Sequence, residues 1–213
     1  MAPQKQDYNR LIAQVRTEMP GLTDAIVRQQ FFPVMKDFFR HTKMWQESIA
    51  ISVVPNVVTY DLISAEPGVF ESFAGLTDAA GQPVQATAPN LVQVTLRFKV
   101  NTAQTMTAVM IKTVGSPIDR TGLPEIPTWV IQNVGDAIFH GTCEKLMMQP
   151  HKPYSDPVQG KYHGEMYKQL RGHFRQLVFH QNTFGAQSWV YPQSYQTNGQ
   201  RGGTSTTGFG FTQ

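Results

Sequence analysis

Apolar positions recur at helical spacing near both ends of the chain and alternate in its middle. Leu11, Ile12 and Val15 share one face of a short segment that Asp7 is placed to cap and Pro20-Gly21 stops. A second helical run begins at about Thr23 and carries Ile26, Val27, Met35, Phe38, Phe39 and Thr42 at near 3.6-residue spacing. Pro33 stands inside it and predicts a bend or a fresh start there. From Trp45 the period changes to two. Ser48 to Val54 and Val57 to Leu62 flank a Pro55-Asn56 turn, and Phe70 to Leu76 and Pro83 to Ala86 flank the connection 77–82. Leu91 to Val100 puts Val92, Val94, Leu96 and Phe98 on one face, and Met106 to Val114 reads the same way. Five or six short strands in about 70 residues predict a small antiparallel sheet or open barrel.

Past Gly115-Ser116-Pro117 the helical period returns, with Ile131, Val134, Ile138, Leu146 and Met147 on one face and Pro150 as the stop. Ser155 or Asp156 then caps a last helix with Pro157 at its first position. Its expected inward residues are Val158, Tyr162, Met166, Leu170, Phe174, Leu177 and Val178, and it ends near Asn182. The expected fold class is therefore α+β. A bundle made of a bent N-terminal helix and two C-terminal helices carries an inserted β unit and an extended C-terminal arm. The segments are 1–46 for the N-terminal helices, 47–116 for the β insertion, 117–182 for the C-terminal helices and 183–213 for the arm.

Composition narrows the classes. Apolar residues make up 40% of the 213 positions, enough for a core, whereas charged residues are only 15%, against roughly 25% in an average soluble domain. Such a deficit suits a subunit whose flanks are covered by neighbours. The net charge of +3, without basic runs, does not point to nucleic acid as the main partner. Cys143 is the single cysteine, which excludes an intramolecular disulfide and a multi-cysteine zinc site and fits synthesis in a reducing cytoplasm. Met1 to Asp7 shows no secretory pattern, and no apolar run reaches the roughly 20 residues of a membrane span, so no membrane partner is expected.

Candidate chemistry is sparse. Cys143 follows His140 by three residues on a helix, a spacing open to a thiol nucleophile or half a metal site. Buried cysteine as packing material is the plainer reading. Five of the six histidines fall between His140 and His180, and none stand four apart on a helix; surface or interface histidines are expected rather than ligands. Asp119, Glu125 and Asp136 read as charges near a helix start. Neither a phosphate loop nor a nucleophile elbow is present, and Gly208-Phe209-Gly210-Phe211 lacks the strand and helix of a dinucleotide fingerprint. No catalytic residue, metal ligand or cofactor is assigned, and an enzyme is not expected.

Two binding features remain. Lys161, Lys168 and Arg175 recur every seven residues along the last helix, with Arg171 four before Arg175. They form either a solvated face or a set of sequence-independent contacts to DNA phosphates. The arm, 183–213, has no Asp or Glu and holds six aromatics, Phe184, Trp189, Tyr191, Tyr195, Phe209 and Phe211. Disordered tails are normally poor in aromatics, so this one is expected to dock, with Trp189 and Tyr191 as anchors.

The segment Phe38-Phe39-Arg40-His41-Thr42-Lys43-Met44-Trp45-Gln46 resembles the run that closes the long helix of phage head-to-tail adaptor proteins. Val58-Thr59-Tyr60-Asp61-Leu62 is similar to the tyrosine strand that follows in that family. Trp129, Gly135, Ala137, Leu146-Met147 and His151-Lys152-Pro153-Tyr154-Ser155-Asp156-Pro157 resemble its closing segment. The likeness spans roughly residues 20 to 182. Phe39 stands where the family often has cysteine, and Tyr154 where it often has tryptophan. The resemblance implies a structural protein of the virion neck, made in the host cytoplasm. It implies a homo-oligomeric ring, commonly of twelve copies, joining the portal protein to a tail nozzle or tail-tube protein around passing DNA, with the arm reaching the portal. Another tail-tube or head-completion subunit, or a small metal or thiol enzyme using Cys143 and His140, are the alternative readings.

Overall fold

The computed structural model describes residues 3–115 and 123–182. Among these residues the order of elements is two helices, seven strands and two helices, an α+β fold. Helix α1 spans Pro3–Glu18 and α2 spans Asp24–Thr42. Asp7 lies within α1 rather than at its cap, because the helix begins a turn earlier. Helix α2 runs as one element through Pro33. Pro33 and Gln29, whose carbonyl loses its usual donor, both face solvent, where water can take the missing bond. Lys43 ends α2 in the left-handed conformation, its N–H donating to the Phe39 carbonyl at 2.9 Å.

The strands are β1 (Gln46–Val53), β2 (Thr59–Asp61), β3 (Val69–Thr77), β4 (Pro83–Val84), β5 (Ala86–Thr87), β6 (Gln93–Leu96) and β7 (Gln104–Thr113). They form two antiparallel sheets, ordered β1-β7-β3-β4 and β2-β6-β5. One small core serves both: Ile51, Val53, Leu76, Met106, Ala108 and Met110 from the first, and Val94 and Leu96 from the second. Period-two reading overextended the strand at 91–100. Val94 and Leu96 are buried, but Val92 and Phe98 lie beyond the ends of β6 and are half exposed. A register shift opposite Glu71 in β3 accompanies an ion pair at 2.7 Å from the Glu71 carboxylate to Arg40 of α2.

Helix α3 spans Thr128–Met147 and α4 spans Pro157–Asn182. Asp156 caps α4, its Oδ1 accepting from the N–H groups of Val158 and Gln159 at 3.0 and 3.1 Å. The helical core joins Leu11, Ile12 and Val15 of α1, Phe31, Met35, Phe38 and Phe39 of α2, and Ile131, Val134, Ile138 and Leu146 of α3. The bundle thus has four helices, since α1 packs against α3 as a full member. Tyr8 fixes α1 further by donating from its hydroxyl to the Pro124 carbonyl at 2.8 Å. Burial without a competing charge drives that phenol's pKa upward.

The two cores meet at Trp45, which is fully buried in the helical one. Its indole lies against Gly68, whose φ of +101° a side chain would rarely adopt and where a Cβ would collide with the ring. Beneath it, Lys112 is wholly buried, donating to Glu47 Oε2 at 2.8 Å, Ser64 Oγ at 2.7 Å and the Glu66 carbonyl at 2.7 Å. Burial alone would raise the Glu47 pKa. The hydrogen bonds from Lys112, Ser64 and Ala65, with the lysine's charge, outweigh it and hold the carboxyl below its ordinary value.

Candidate assembly surface on the last helix

Helix α4 packs through a narrow set of side chains. His163 and Tyr167 are buried, Val178 nearly so, and Phe174 meets Phe38 edge-on with ring centres 5.6 Å apart. Tyr167 donates to Asp37 Oδ2 at 2.8 Å, and Arg171 donates to the same oxygen at 2.9 Å while lying over the Tyr167 ring. Burial first, then the bond to Asp37 and its charge, push the Tyr167 pKa upward. These contacts clamp α4 to α2 on one side only.

The opposite side carries apolar residues that face solvent. Val158, Tyr162 and Leu177 were expected to face the core, yet they are 77%, 56% and 42% exposed. The reason is rotational: with His163, Tyr167 and Phe174 turned inward, Val158 and Tyr162 fall on the outer surface. Lys161, Lys168 and Arg175 are exposed too, and no carboxylate pairs with them among the described residues. Seven-residue spacing sets them about 10.5 Å apart along one row of the helix. Arg171 does not belong to that row, because Asp37 holds it. The outer face of α4 therefore presents cations on one flank and apolar side chains beside them.

The histidines resolve differently from expectation. His163 is buried, not on the surface, and its Nδ1 lies 2.9 Å from His140 Nδ1. Phe139 and Tyr162 pack against the pair at ring distances of 5.1 to 6.4 Å. Burial lowers both pKa values, and the charge of His163 lowers that of His140 further; Glu18 opposes the shift at both and Asp136 at His140. The two rings are thus neutral at pH 7, one donating to the other. Cys143 is fully buried, and burial followed by the charge of Glu18 pushes its thiol up to about 12. A thiol so held is inert as a nucleophile. Asp136 sits mid-helix in α3, and Glu125 is exposed just before it.

Among the described residues, no group of three or more His, Cys, Asp or Glu side chains is arranged to hold a metal. A shallow cleft between α1 and α3, lined by Arg10, Gln14, Gln132 and Asp136, has a volume of about 110 Å³. Small-molecule sites run to roughly 300–1,000 Å³. A wide-open hollow at the end of α1, lined by Ala13, Arg16, Thr17, Pro20 and Gly21, has a volume of about 460 Å³ but carries one charged side chain, Arg16, which is paired with Asp24. No helix among the described residues is long and apolar enough to cross a membrane. The arm aromatics Phe184, Trp189, Tyr191, Tyr195, Phe209 and Phe211, with Asp119, lie outside the described residues.

Sequence reasoning missed the Glu47–Lys112 pair and the His140–His163 bond. The first had a signal: Lys112 shares the alternating parity of Met106, Ala108 and Met110, so its strand points a charge inward. The second had none, because the partners lie 23 residues apart on different helices. Comparison with models of known protein families and with curated protein sequences finds no match, so the likeness to adaptor proteins rests on the residues named above.

Proposed function

We propose that the chain is a non-enzymatic structural subunit of a phage particle, a head-to-tail adaptor. Its copies form a ring, of twelve by family likeness, between the portal and a tail nozzle or tail-tube protein. The observation that carries this reading is the outer face of α4, where three cations in a row lie beside solvent-facing Val158 and Tyr162. The cations alone would serve a free-standing monomer as a solvated face, but the apolar side chains beside them gain burial only against a partner. A ring subunit uses the face twice, the apolar flank against a neighbour and the cations toward the phosphates of DNA in the channel. The order of helix pair, β insertion and helix pair is also the order that the resemblance implies.

The arm 183–213 fastens the ring to the portal through its aromatics, and repeated arms multiply a weak contact. Another virion role, as a tail-tube or head-completion subunit, uses the same surface and differs in its neighbours. The thiol or metal enzyme is the weaker alternative, since Cys143 is sealed in the core and His140 is bonded to His163.

The test is cryo-electron microscopy of the full chain mixed with its cognate portal ring, with and without residues 183–213. A ring stacked on the portal by the full chain, and none by the shortened one, is the expected result. A full chain that never associates with portal overturns the adaptor reading.

A further inference from the structure

We propose that the free edge of β1 accepts residues 187–191 of a neighbouring copy as an added β-strand. The idea rests on the chain being an assembling subunit, and it names the joint between copies. Strand β1 is eight residues long and, among the described residues, hydrogen-bonds only to β7, which leaves it at the edge of its sheet. The bond from Lys112 N–H to the Trp45 carbonyl, at 2.8 Å, sets the phase of the ladder. Residues 45, 47, 49, 51 and 53 exchange bonds with β7, so the N–H and C=O groups of Ser48, Ala50 and Ser52 point away from it. All three residues are exposed.

Edges of this kind are usually guarded by lysine, proline, a bulge or shortness. The other edge strands are short: β4 has two residues, one of them Pro83, while β2 has three and β5 has two. β1 has no such guard. It contains no proline or lysine, and its one charge, Glu47, is turned inward onto Lys112. Past Gln46 at its start, its outer face carries small side chains, Ser48, Ala50 and Ser52, which leave room above them for large ones.

The segment beyond α4 supplies the complement. Gln187-Ser188-Trp189-Val190-Tyr191 is bounded by Gly185-Ala186 and by Pro192, and as a strand it sets Gln187, Trp189 and Tyr191 on one face. Two large aromatics then cover the small outer face of β1, while Val190 falls on the side of Ile49 and Ile51. With Trp189 and Tyr191 taken by the neighbouring copy, Phe209 and Phe211 at the end of the arm remain for the portal. No acidic residue occurs anywhere in 183–213. Each copy has one donor segment and one acceptor edge, so the pairing is head-to-tail and propagates around a closed ring.

The experiment uses full-length chains. Protein carrying Ser52→Cys is mixed with protein carrying Gln187→Cys under mild oxidation; Cys143 is buried and does not compete. A disulfide-linked species with one copy of each is expected. It is expected to vanish when Ala50→Pro is added to the acceptor, since the Ala50 N–H is not used by β7 and circular dichroism should be unchanged. Should that variant misfold, Trp189→Pro in the donor, whose N–H is the one that faces the β1 edge in this register, gives the same loss without touching the folded unit. Linkage no faster than a Ser205→Cys control overturns the proposal. So does a chain carrying both cysteines that closes on itself at a rate independent of concentration. Portal binding is read separately: a portal-bound ring without this crosslink sinks the strand pairing alone, whereas loss of portal binding with the crosslink intact sinks only the adaptor reading.

Discussion

Lys112 and Glu47 form an ion pair of 2.8 Å with both side chains essentially out of water, 0% and 8% exposed. The ammonium also lies 5.3 Å from the Trp45 ring and 5.7 Å from the Phe70 ring. Trp45 belongs to the helical core and Phe70 packs against the sheet core, so one cation touches both halves of the fold. Breaking such a pair leaves an uncompensated buried charge, which costs about 3–5 kcal/mol. Glu47→Leu alone is therefore expected to lower unfolding stability by that amount in urea titrations. The double replacement Glu47→Leu with Lys112→Met should recover most of it, because an apolar pair of similar volume is often neutral. A double variant as unstable as the single one would show that the ion pair itself holds the seam.

The same carboxylate sets an acid limit. Its folded pKa is lowered from an ordinary 4.5, so the unfolded chain binds the proton more readily than the folded one. Stability from Glu47 is complete above about 4.5 and is lost as pH falls through the lowered folded value. Melting temperature should fall steeply from about pH 5 down to about pH 3, the range in which carboxylates titrate. In Glu47→Leu that part of the slope should flatten.

The histidine pair acts at milder pH. Both folded pKa values are lowered from 6.5, so the neutral pair belongs to the folded state. Its stability is present above about 6.5 and is lost as pH falls through the lowered folded values. Glu18 and Asp136 oppose the shift and soften the loss. His163→Phe keeps an aromatic body in the site, removes one of the two titrating groups and takes away the charge that lowers His140 further. Its melting temperature should vary less between roughly pH 7 and pH 5.5 than that of the native chain. An unchanged slope would mean that other groups carry the pH dependence.

Glycines on α3 and α4 should respond in opposite directions. A Cβ at Gly141 would lie 2.7 Å from Val34 Cγ1 and 3.0 Å from the Tyr167 ring, both buried. Gly141→Ala is expected to cost about 1–3 kcal/mol through overpacking. At Gly172 nothing lies within 4 Å of the added carbon. Gly172→Ala should stabilise by about 1 kcal/mol, the difference in helix propensity. Thermal unfolding of the two variants separates these effects.

Much of the fold was legible because its periods are plain. Asp156-Pro157 marked the start of α4, and Pro55-Asn56 marked the turn that closes β1. The division into two sheets was not legible, since strands of two to four residues carry too few alternations to define a face; Val92 and Phe98 show the consequence. On α4, apolar residues outnumber what the bundle can cover, and spacing alone could not say that His163 and Tyr167 would win the inward side. The cation row was visible as a seven-residue repeat. That Arg171 stands apart from it depends on Asp37, which lies 134 residues earlier in the chain.

That separation makes the row testable on DNA. Each cation that neutralises a phosphate releases a counterion, so the slope of log affinity against log salt falls by about one when that cation is removed. Lys161→Ala, Lys168→Ala and Arg175→Ala should each reduce the slope of the assembled chain on duplex DNA by about one, with no dependence on sequence. Arg171 is engaged with Asp37 and stacked on Tyr167, so Arg171→Ala should leave the slope nearly unchanged and instead loosen α4. Because that pair is part exposed, 29% and 42%, the stability lost should be modest, on the order of 1 kcal/mol or less. Fluorescence anisotropy across a salt series reads the slope, and urea unfolding reads the stability. If all four variants change the slope alike, Asp37 does not withhold Arg171 from the DNA. If none does, the row faces away from DNA, and the apolar flank of α4 alone explains its exposure.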